Sequence, residues 1–246
     1  MKGNVVLLSM WNNPDLPYYV SFCQEAKIPV SAIVCSGALK EHDLAILRQR
    51  LEPEYFDRDL LHGNIESIPF YFVQSHNNAA ARTLFKSLKP DVLVNAGTPN
   101  ILKGAVLNIP RLGVINSHPG LMPDYRGCTN VEWAIYNDDP VGSTCHFMTE
   151  AIDQGPVLAQ KIMAVPRGWG YRKIRTEVVY HGIRVLTQGI KKAFLINKNY
   201  RQLTVSDTGT YYKVIDQARM QEVIKKTESG QYTSSVHSKG EYCEVL

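Results

Sequence analysis

The sequence predicts an α/β protein built on a mostly parallel sheet flanked by helices. Short apolar runs alternate with helical segments through the first half of the chain. The first run, NVVLLSM at 4–10, is continuously apolar, as a strand buried on both faces requires. The composition of the 246 residues, 44% hydrophobic and 20% charged, is ordinary for a folded domain with a real core.

Five strands and three helices are expected in the first half. Right-handed crossovers through the helices make such strands parallel, and their carboxyl ends then form the ligand-binding edge. The expected strands are 4–10, 30–36, 68–73, 91–97 and 113–119, and the expected helices are 17–27, 39–52 and 78–89.

The second half is expected to contain longer elements. Apolar residues in 171–195 recur at steps of three to five, which predicts a long amphipathic helix. The other expected elements are a helix at 130–137, strands at 141–150 and 155–165, a strand at 210–215 and a helix at 216–226. We divide the chain into a main domain at 1–197 and a C-terminal extension at 198–246, with a tail expected to be disordered after Ser229.

Composition and charge argue against several classes of partner. The net charge of +4 is mild and no arginine-rich tract occurs, so we expect no nucleic acid. No apolar run approaches the roughly 20 residues of a membrane span, so we expect no membrane. The five cysteines form no CxxC pair, which favours reduced thiols and a cytoplasmic protein without a bound metal.

Several standard signatures are absent. The turn after the first strand reads SMWNNPDLP, with neither a GxGxxG nor a GxxxxGK[ST] pattern. Ser117 and His118 are neighbours on a strand and point to opposite faces, so they form no hydrolase dyad. The GxSxG pattern of nucleophile elbows is also missing.

The segment GVINSHPGLMPDYRG at 113–127 carries the strongest chemical signal. Asn116 and His118 are two positions apart at a strand end, so both side chains project to one face. Asp153 lies in the turn AIDQGP between two expected strands. An amide, an imidazole and a carboxylate suit a reaction in which an oxygen gains negative charge while a proton moves. A carboxylate beside His118 favours the imidazolium form.

Each of these residues also has a structural interpretation. An Asn at a strand end commonly caps a turn, a lone His is more often structural, and DQG is a good turn sequence. A zinc site made of His118, Asp153 and another His is conceivable but lacks ligand-like spacing.

The segments NSHPGLMPDYRG and MTEAIDQGPVLAQ resemble the formyltransferase family that uses N10-formyltetrahydrofolate. That family includes glycinamide ribonucleotide transformylases, methionyl-tRNA formyltransferases and sugar N-formyltransferases. The resemblance is strongest over 91–165 and fades beyond about 195. It implies a Rossmann-like formyltransferase fold, with residues 1–197 as the catalytic domain.

The resemblance assigns catalytic and co-substrate residues. It implies that Asn116 and His118, the latter held as a cation by Asp153, stabilise an oxyanion on the formyl group, without a metal. The segment AGTPNIL at 96–102 and the turn around Asp153 match the two walls of the folate site. The residues expected to bind N10-formyltetrahydrofolate are Ala96, Gly97, Thr98, Asn100, Ile101, Leu102, Ile152 and Gln154.

The acceptor that the resemblance favours is a nucleotide-linked amino sugar. SMWNNPD has no glycine to cradle the phosphate of glycinamide ribonucleotide, and about 50 residues after 196 are too few for the C-terminal domain of methionyl-tRNA enzymes. These two acceptors, and a formyltetrahydrofolate hydrolase, remain the alternatives. The extension at 198–246 is expected to form a homodimer.

Acceptor contacts are expected from two segments, each with a structural alternative. VQSHNNAAA at 73–81 resembles the acceptor side of sugar N-formyltransferases, although Asn77 or Asn78 would equally cap a helix. Arg126 would equally brace its loop through Asp124. The residues expected to contact the acceptor are His76, Asn77, Asn78, Tyr125, Arg126 and Trp133.

Overall fold

A computed structural model of the protein describes residues 3–56, 65–203 and 209–234. The strands are β1 Val5–Ser9, β2 Val30–Ser36, β3 Phe70–Val73, β4 Val92–Asn95, β5 Gly113–His118, β6 Arg126–Gly127, β7 Gly142–Phe147, β8 Val157–Ile162 and β9 Tyr211–Tyr212. Seven of them form one sheet with the order β3-β2-β1-β4-β5-β7-β8. Strands β1 to β5 are parallel, whereas β7 runs antiparallel to both β5 and β8.

Helices cover both faces of this sheet, as the sequence predicts. The helices are α1 Leu16–Glu25, α2 Glu41–Arg50, α3 Ala79–Leu88, α4 Gly104–Leu107, α5 Asn130–Tyr136, α6 Tyr171–Ile196 and α7 Gln217–Glu228, with short 3-10 turns at Pro53–Phe56, Ile65–Ser67 and Tyr200–Gln202. The short elements α4 and β6 were not predicted, since neither is long enough to show a periodic pattern.

The first strand shows why its apolar run is continuous. Val5 and Leu7 belong to one core cluster, with Ile190 of α6, while Val6 and Leu8 belong to another, with Phe85 of α3. Because successive side chains of a strand point to opposite faces, a strand covered on both sides needs apolar residues at every position. The mostly parallel sheet of the prediction is therefore confirmed.

Helix α6 lies directly against the antiparallel end of the sheet. A side chain at Gly189 would collide with the Cys145 sulfur of β7, so only glycine permits this approach. The predicted apolar stripe is buried at Ile174, Val178, Ile183, Leu186 and Ile190. This packing fixes β7 next to β5, which carries Asn116 and His118.

The extension packs on the same chain. Strand β9 pairs with β6 in a separate two-stranded sheet, so the predicted strand at 210–215 is reduced to the two residues that find a partner. Disorder after Ser229 was expected, but the Tyr232 hydroxyl donates to the Asp139 carbonyl at 2.7 Å, and Val165 N donates to Ser234 O at 2.9 Å. The rest of that predicted tail lies outside the described residues. None of the helices in the described ranges has the length and apolar character needed to cross a membrane.

Candidate active site

The ends of β4, β5 and β7 bring three polar side chains into one row. Asn95 pairs in register with Asn116, and Asn116 pairs with His146. The Asn95 amide nitrogen donates to Asn116 Oδ1 at 3.0 Å, and Asn116 Nδ2 lies 3.3 Å from His146 Nε2. The row lies where open α/β sheets bind ligands, beyond the carboxyl ends of the parallel strands.

Asp153 reaches this row from the turn between β7 and β8. Its backbone lies in the left-handed region at φ +50°, which Asp and Asn tolerate better than other side-chain-bearing residues. Gly155, two residues on, passes so close to the Phe147 carbonyl that no side chain fits there. The sequence DQG therefore forms the predicted tight turn and also aims a carboxylate toward β5.

His118 and Asp153 meet as the sequence predicts. His118 Nδ1 lies 3.4 Å from Asp153 Oδ2, and both side chains are nearly buried. Nε2 of the ring lies 2.8 Å from the Tyr125 carbonyl oxygen. The Asn130 amide nitrogen also lies 3.0 Å from Nε2, so the ring is held between Asp153 on one side and Tyr125 and Asn130 on the other. Gly127 N also donates to Asp153 Oδ2 at 3.0 Å, which further stabilises the carboxylate.

His146 is a site residue that sequence reasoning missed. Its Nε2 lies 3.7 Å from Asp153 Oδ1 as well as close to Asn116. Burial lowers the pKa of His146 to about 4, against the opposing effect of the Asp153 charge, so the ring is neutral near pH 7. The signal that could have identified His146 is its position in the sheet. Once β7 is placed antiparallel to β5, the residue opposite Asn116 becomes a candidate.

A cavity of about 310 Å³ opens beside these residues. Both Asn116 and Asp153 line it, while His118 lies behind Asp153. The lining residues are Asn95, Thr98, Pro99, Asn100, Ile101, Asn116, His146, Met148, Thr149, Ala151, Ile152 and Asp153. Four of the residues expected to bind the folate, Thr98, Asn100, Ile101 and Ile152, are therefore on its walls.

The other expected folate residues shape the cavity from outside. Ala96 and Leu102 are buried in the core. Gly97 has a φ of +90° and gives its backbone N–H to Asn95 Oδ1 at 3.2 Å. Gln154 follows Asp153 in the turn and is not among the wall residues.

The first group of expected acceptor residues belongs to the internal framework. His76 is buried and its Nε2 lies 2.9 Å from the Val34 carbonyl. Asn77 accepts from Lys103 N at 2.9 Å and donates to Ile101 O at 2.9 Å. Asn78 accepts from Ala81 N and caps α3. The alternative interpretation as a helix start is therefore correct for Asn78, and the other two side chains hold loops together.

The second group holds the extension. Tyr125 stacks on Tyr212 with ring centroids 5.1 Å apart, and its hydroxyl donates to Asp139. Arg126 donates to the Gly209 carbonyl at 2.8 Å, and Trp133 Nε1 donates to the Lys213 carbonyl at 2.8 Å. These side chains contact residues 209–213 and are not among the residues that line the cavity, and their role as acceptor contacts stays a prediction.

A metal site would need several ligating side chains around one point. In the part of the chain that the structure describes, no cluster of three or more His, Cys, Asp or Glu side chains is placed to hold a metal ion.

Known structures with this fold include enzymes with different acceptors. A sugar N-formyltransferase from Shewanella sp FDAARGOS_354 matches with a TM-score of 0.58 and 18% identity, over 90% of this chain and 86% of the other. Glycinamide ribonucleotide transformylase 1 from Symbiobacterium toebii matches with a TM-score of 0.59 and 18% identity, over 84% and 92%. These likenesses establish the fold.

Sequence comparison establishes the family. A methionyl-tRNA formyltransferase from Thermotoga maritima is 36% identical over 99 residues, which are 40% of this chain and 32% of that protein. The bifunctional polymyxin resistance protein ArnA from Wigglesworthia glossinidia brevipalpis is 30% identical over 122 residues, 49% of this chain and 19% of that protein. The chain thus spans less than half the length of these curated relatives. The profile described as formyl transferase matches residues 13–181, and the chain belongs to that family.

Proposed function

We propose that this protein transfers a formyl group from N10-formyltetrahydrofolate to a primary amine on a nucleotide-linked amino sugar. The observation that carries formyl transfer is that Asn116 and Asp153 line one cavity, with His118 Nδ1 at 3.4 Å from Asp153 Oδ2. Membership of the formyl transferase family supports the same reaction.

The cavity suits the flat ring system of a folate. Its volume of about 310 Å³ is at the lower end of that of small-molecule sites. Ile101 and Ile152 on its walls are 65% and 45% exposed, and a planar ring would cover apolar surface of this kind. Thr98 and Asn100 add polar groups for the edge of the ring.

The residues supply two chemical tasks. When an amine attacks the formyl carbon, the carbonyl oxygen gains negative charge, and the Asn116 N–H is a donor placed on the cavity wall. The attacking amine must lose a proton, and Asp153 is the carboxylate that reaches the cavity and can accept it. The bond between the formyl carbon and N10 then breaks, and the proton passes to N10 of the departing tetrahydrofolate. His118 contacts Asp153 and is not among the cavity-lining residues, so we assign it the task of holding that carboxylate in place through this ion pair, without direct contact with the oxyanion.

The first loop argues against a phosphorylated ribonucleotide as acceptor. The Asn13 amide donates to the Ala96 carbonyl at 2.7 Å and to Ser9 Oγ at 3.1 Å, and its oxygen accepts from Asp15 N. The Asn13 side chain therefore holds the loop together through these three hydrogen bonds. Asp15 at the start of α1 accepts from the Tyr55 hydroxyl, so a carboxyl group and not an additional donor stands where a phosphate would have to bind.

A further structural likeness extends over most of the chain. A 4-N formyltransferase from Francisella tularensis matches with a TM-score of 0.58 and 17% identity, over 92% of this chain and 87% of the other. We further propose that the extension at 198–246 forms a homodimer. Tyr211 and Val214 support this, since they are 50% and 66% exposed on its described part.

A substrate panel tests the proposal. The protein is incubated with N10-formyltetrahydrofolate and one of four additions: nucleotide-linked 3- or 4-amino sugars, glycinamide ribonucleotide, methionyl-tRNA, or no amine, and release of tetrahydrofolate is measured. We expect turnover only with an amino sugar. Turnover with glycinamide ribonucleotide or methionyl-tRNA would identify that compound as the acceptor in place of the amino sugar. Equal turnover without an amine would identify a hydrolase.

A further inference from the structure

The row of hydrogen bonds through Asn116 runs in one fixed direction. At one end, Gly97 N and Thr98 N both donate to Asn95 Oδ1, at 3.2 and 2.9 Å. Two backbone donors identify that atom as the oxygen, so the other terminal atom of Asn95 is the amide nitrogen. It can only donate, and it donates to Asn116 Oδ1.

The opposite end of the row is fixed in the same way. His146 Nδ1 lies 2.9 Å from the carbonyl oxygen of Phe147, which can only accept. The proton of the neutral ring is therefore on Nδ1, and Nε2 carries a lone pair. Nε2 accepts from Asn116 Nδ2 at 3.3 Å, so both ends demand the same orientation of the Asn116 amide.

This orientation leaves one hydrogen of Asn116 for the cavity. Its oxygen is occupied by Asn95, and one of its two N–H groups is directed at His146. Because Asn116 lines the cavity, its second N–H is the group available to a ligand oxygen. A flipped amide would instead place an oxygen lone pair in that position, which would repel a developing oxyanion.

We propose that Asn95 is a positioning residue that fixes the Asn116 amide with its N–H toward the formyl oxygen. The inference rests on the proposed role of Asn116 in formyl transfer. His146 acts at the other end as the acceptor that makes the same orientation favourable. The sequence gives no periodic or motif signal for Asn95, which stands out only because the register of β4 places it opposite Asn116.

A purely structural role for Asn95 predicts a different pattern of variants. Its oxygen also closes the turn at 97–98, and aspartate keeps that function because it offers an acceptor of the same shape. Leucine loses it. Aspartate, however, places a carboxylate oxygen, which can only accept, opposite Asn116 Oδ1. The Asn116 amide should then turn over, so that its nitrogen donates to this carboxylate and its oxygen faces His146. A structural role predicts that Asn95→Leu is the worse variant, whereas a positioning role predicts that Asn95→Asp is.

Steady-state kinetics with the amino sugar that turns over separate these predictions. We expect kcat to fall about 100-fold in Asn95→Asp and about 10-fold in Asn95→Leu, with the KM for N10-formyltetrahydrofolate within about threefold of the unsubstituted protein. Asn4→Leu is the matched control. The Asn4 amide donates to Leu88 O at 2.6 Å and Lys89 O at 3.2 Å at the opposite edge of the sheet, so its loss should affect unfolding and not kcat.

Nitrogen-15 NMR of the histidine rings tests the row without any acceptor. In the unsubstituted protein and in Asn4→Leu, we expect His146 Nε2 to be unprotonated at pH 7. In Asn95→Asp, the flipped Asn116 oxygen faces Nε2, which should gain a proton. An unprotonated Nε2 in Asn95→Asp, or a kcat lower in Asn95→Leu than in Asn95→Asp, would overturn the inference. An unsubstituted protein with no turnover would refute the proposed function, and the NMR result would still decide the orientation.

Discussion

Asp153 Oδ2 lies 3.4 Å from His118 Nδ1, although one residue ends a strand of the parallel part of the sheet and the other sits in a distant turn. The antiparallel strand β7 creates this meeting, because it returns the chain beside β5 before the turn that carries Asp153. The same strand brings His146 next to Asn116. One local reversal in an otherwise parallel sheet therefore assembles the candidate active site.

Replacing Asp153 separates its charge from its backbone role. Asp153→Asn keeps a residue that tolerates φ +50°, so we expect the fold to persist while the transfer rate falls by about 100-fold or more. Asp153→Ala should lose activity equally and also lower the free energy of unfolding by about 1–2 kcal/mol more than Asn does, because alanine is strained in the left-handed region. Single-turnover rates and urea unfolding measure the two effects. Equal stability of the two variants would contradict the backbone role.

Acid should destabilise the protein through His146. Its pKa is about 4 in the folded protein and 6.5 ordinarily. Between these values the unfolded chain binds a proton that folded His146 does not. The free energy of unfolding therefore rises with pH through this window by up to about 1.4 kcal/mol per pH unit. This stability is fully present above about pH 6.5.

The pH effect is measured by urea unfolding at pH 7 and pH 5. His146→Gln should reduce the loss of stability between the two pH values by about 1–2 kcal/mol. The remaining dependence should come partly from His181, whose pKa burial also lowers to about 4. An identical pH dependence in His146→Gln and the unsubstituted protein would show that His146 is not buried as a neutral ring.

Two glycine substitutions distinguish collision from backbone strain. A Cβ at Gly155 would overlap the Phe147 carbonyl, so Gly155→Ala must displace the turn that carries Asp153 and should abolish transfer. A methyl group at Gly168 would meet no atom of the described residues within 4 Å, but this glycine has a φ of +92°. Gly168→Ala should therefore cost about 1 kcal/mol of stability and leave the transfer rate unchanged. Full activity in Gly155→Ala would show that the turn carrying Asp153 tolerates a side chain at position 155, which would contradict this prediction.

The extension should influence the site through a short chain of contacts. Tyr212 stacks on Tyr125 and pairs through β9 with Gly127, whose N–H donates to Asp153. We expect Tyr212→Ala to lower kcat by about three- to tenfold, since a small displacement of Gly127 weakens one bond to the carboxylate. Val214→Ala is the control, because its side chain is 66% exposed. Equal kcat values in the two variants would argue that the extension is independent of the site.

Sequence alone predicted the sheet, its parallel part and the meeting of His118 with Asp153. The first two follow from apolar periodicity, and the third follows from a motif resemblance in which the spacing between residues is preserved. His146 and Asn95 were missed because their importance depends on cross-strand register, which no local pattern encodes.

The predicted acceptor residues are not among the residues that line the cavity, for a related reason. Asn78 is both a suitable ligand-binding residue and a strong helix cap, and its side-chain oxygen accepts a hydrogen bond from the backbone N–H of Ala81. Trp133 and Tyr125 are engaged by the extension, whose position no feature of the sequence specified. Polar and aromatic residues beside a site are therefore ambiguous until their internal partners are known.

The most direct measurement compares formyl transfer in His118→Gln with that in His181→Gln. Both histidines are largely buried, but His118 Nδ1 lies 3.4 Å from Asp153 Oδ2, whereas His181 Nδ1 lies 3.1 Å from Ser143 Oγ. With saturating N10-formyltetrahydrofolate and an amino-sugar acceptor, we expect the single-turnover rate to fall by about 100-fold in His118→Gln, as in Asp153→Asn, and by less than about threefold in His181→Gln, while tetrahydrofolate binds both. A His118→Gln variant that folds, binds tetrahydrofolate and transfers the formyl group at the unsubstituted rate would contradict the account.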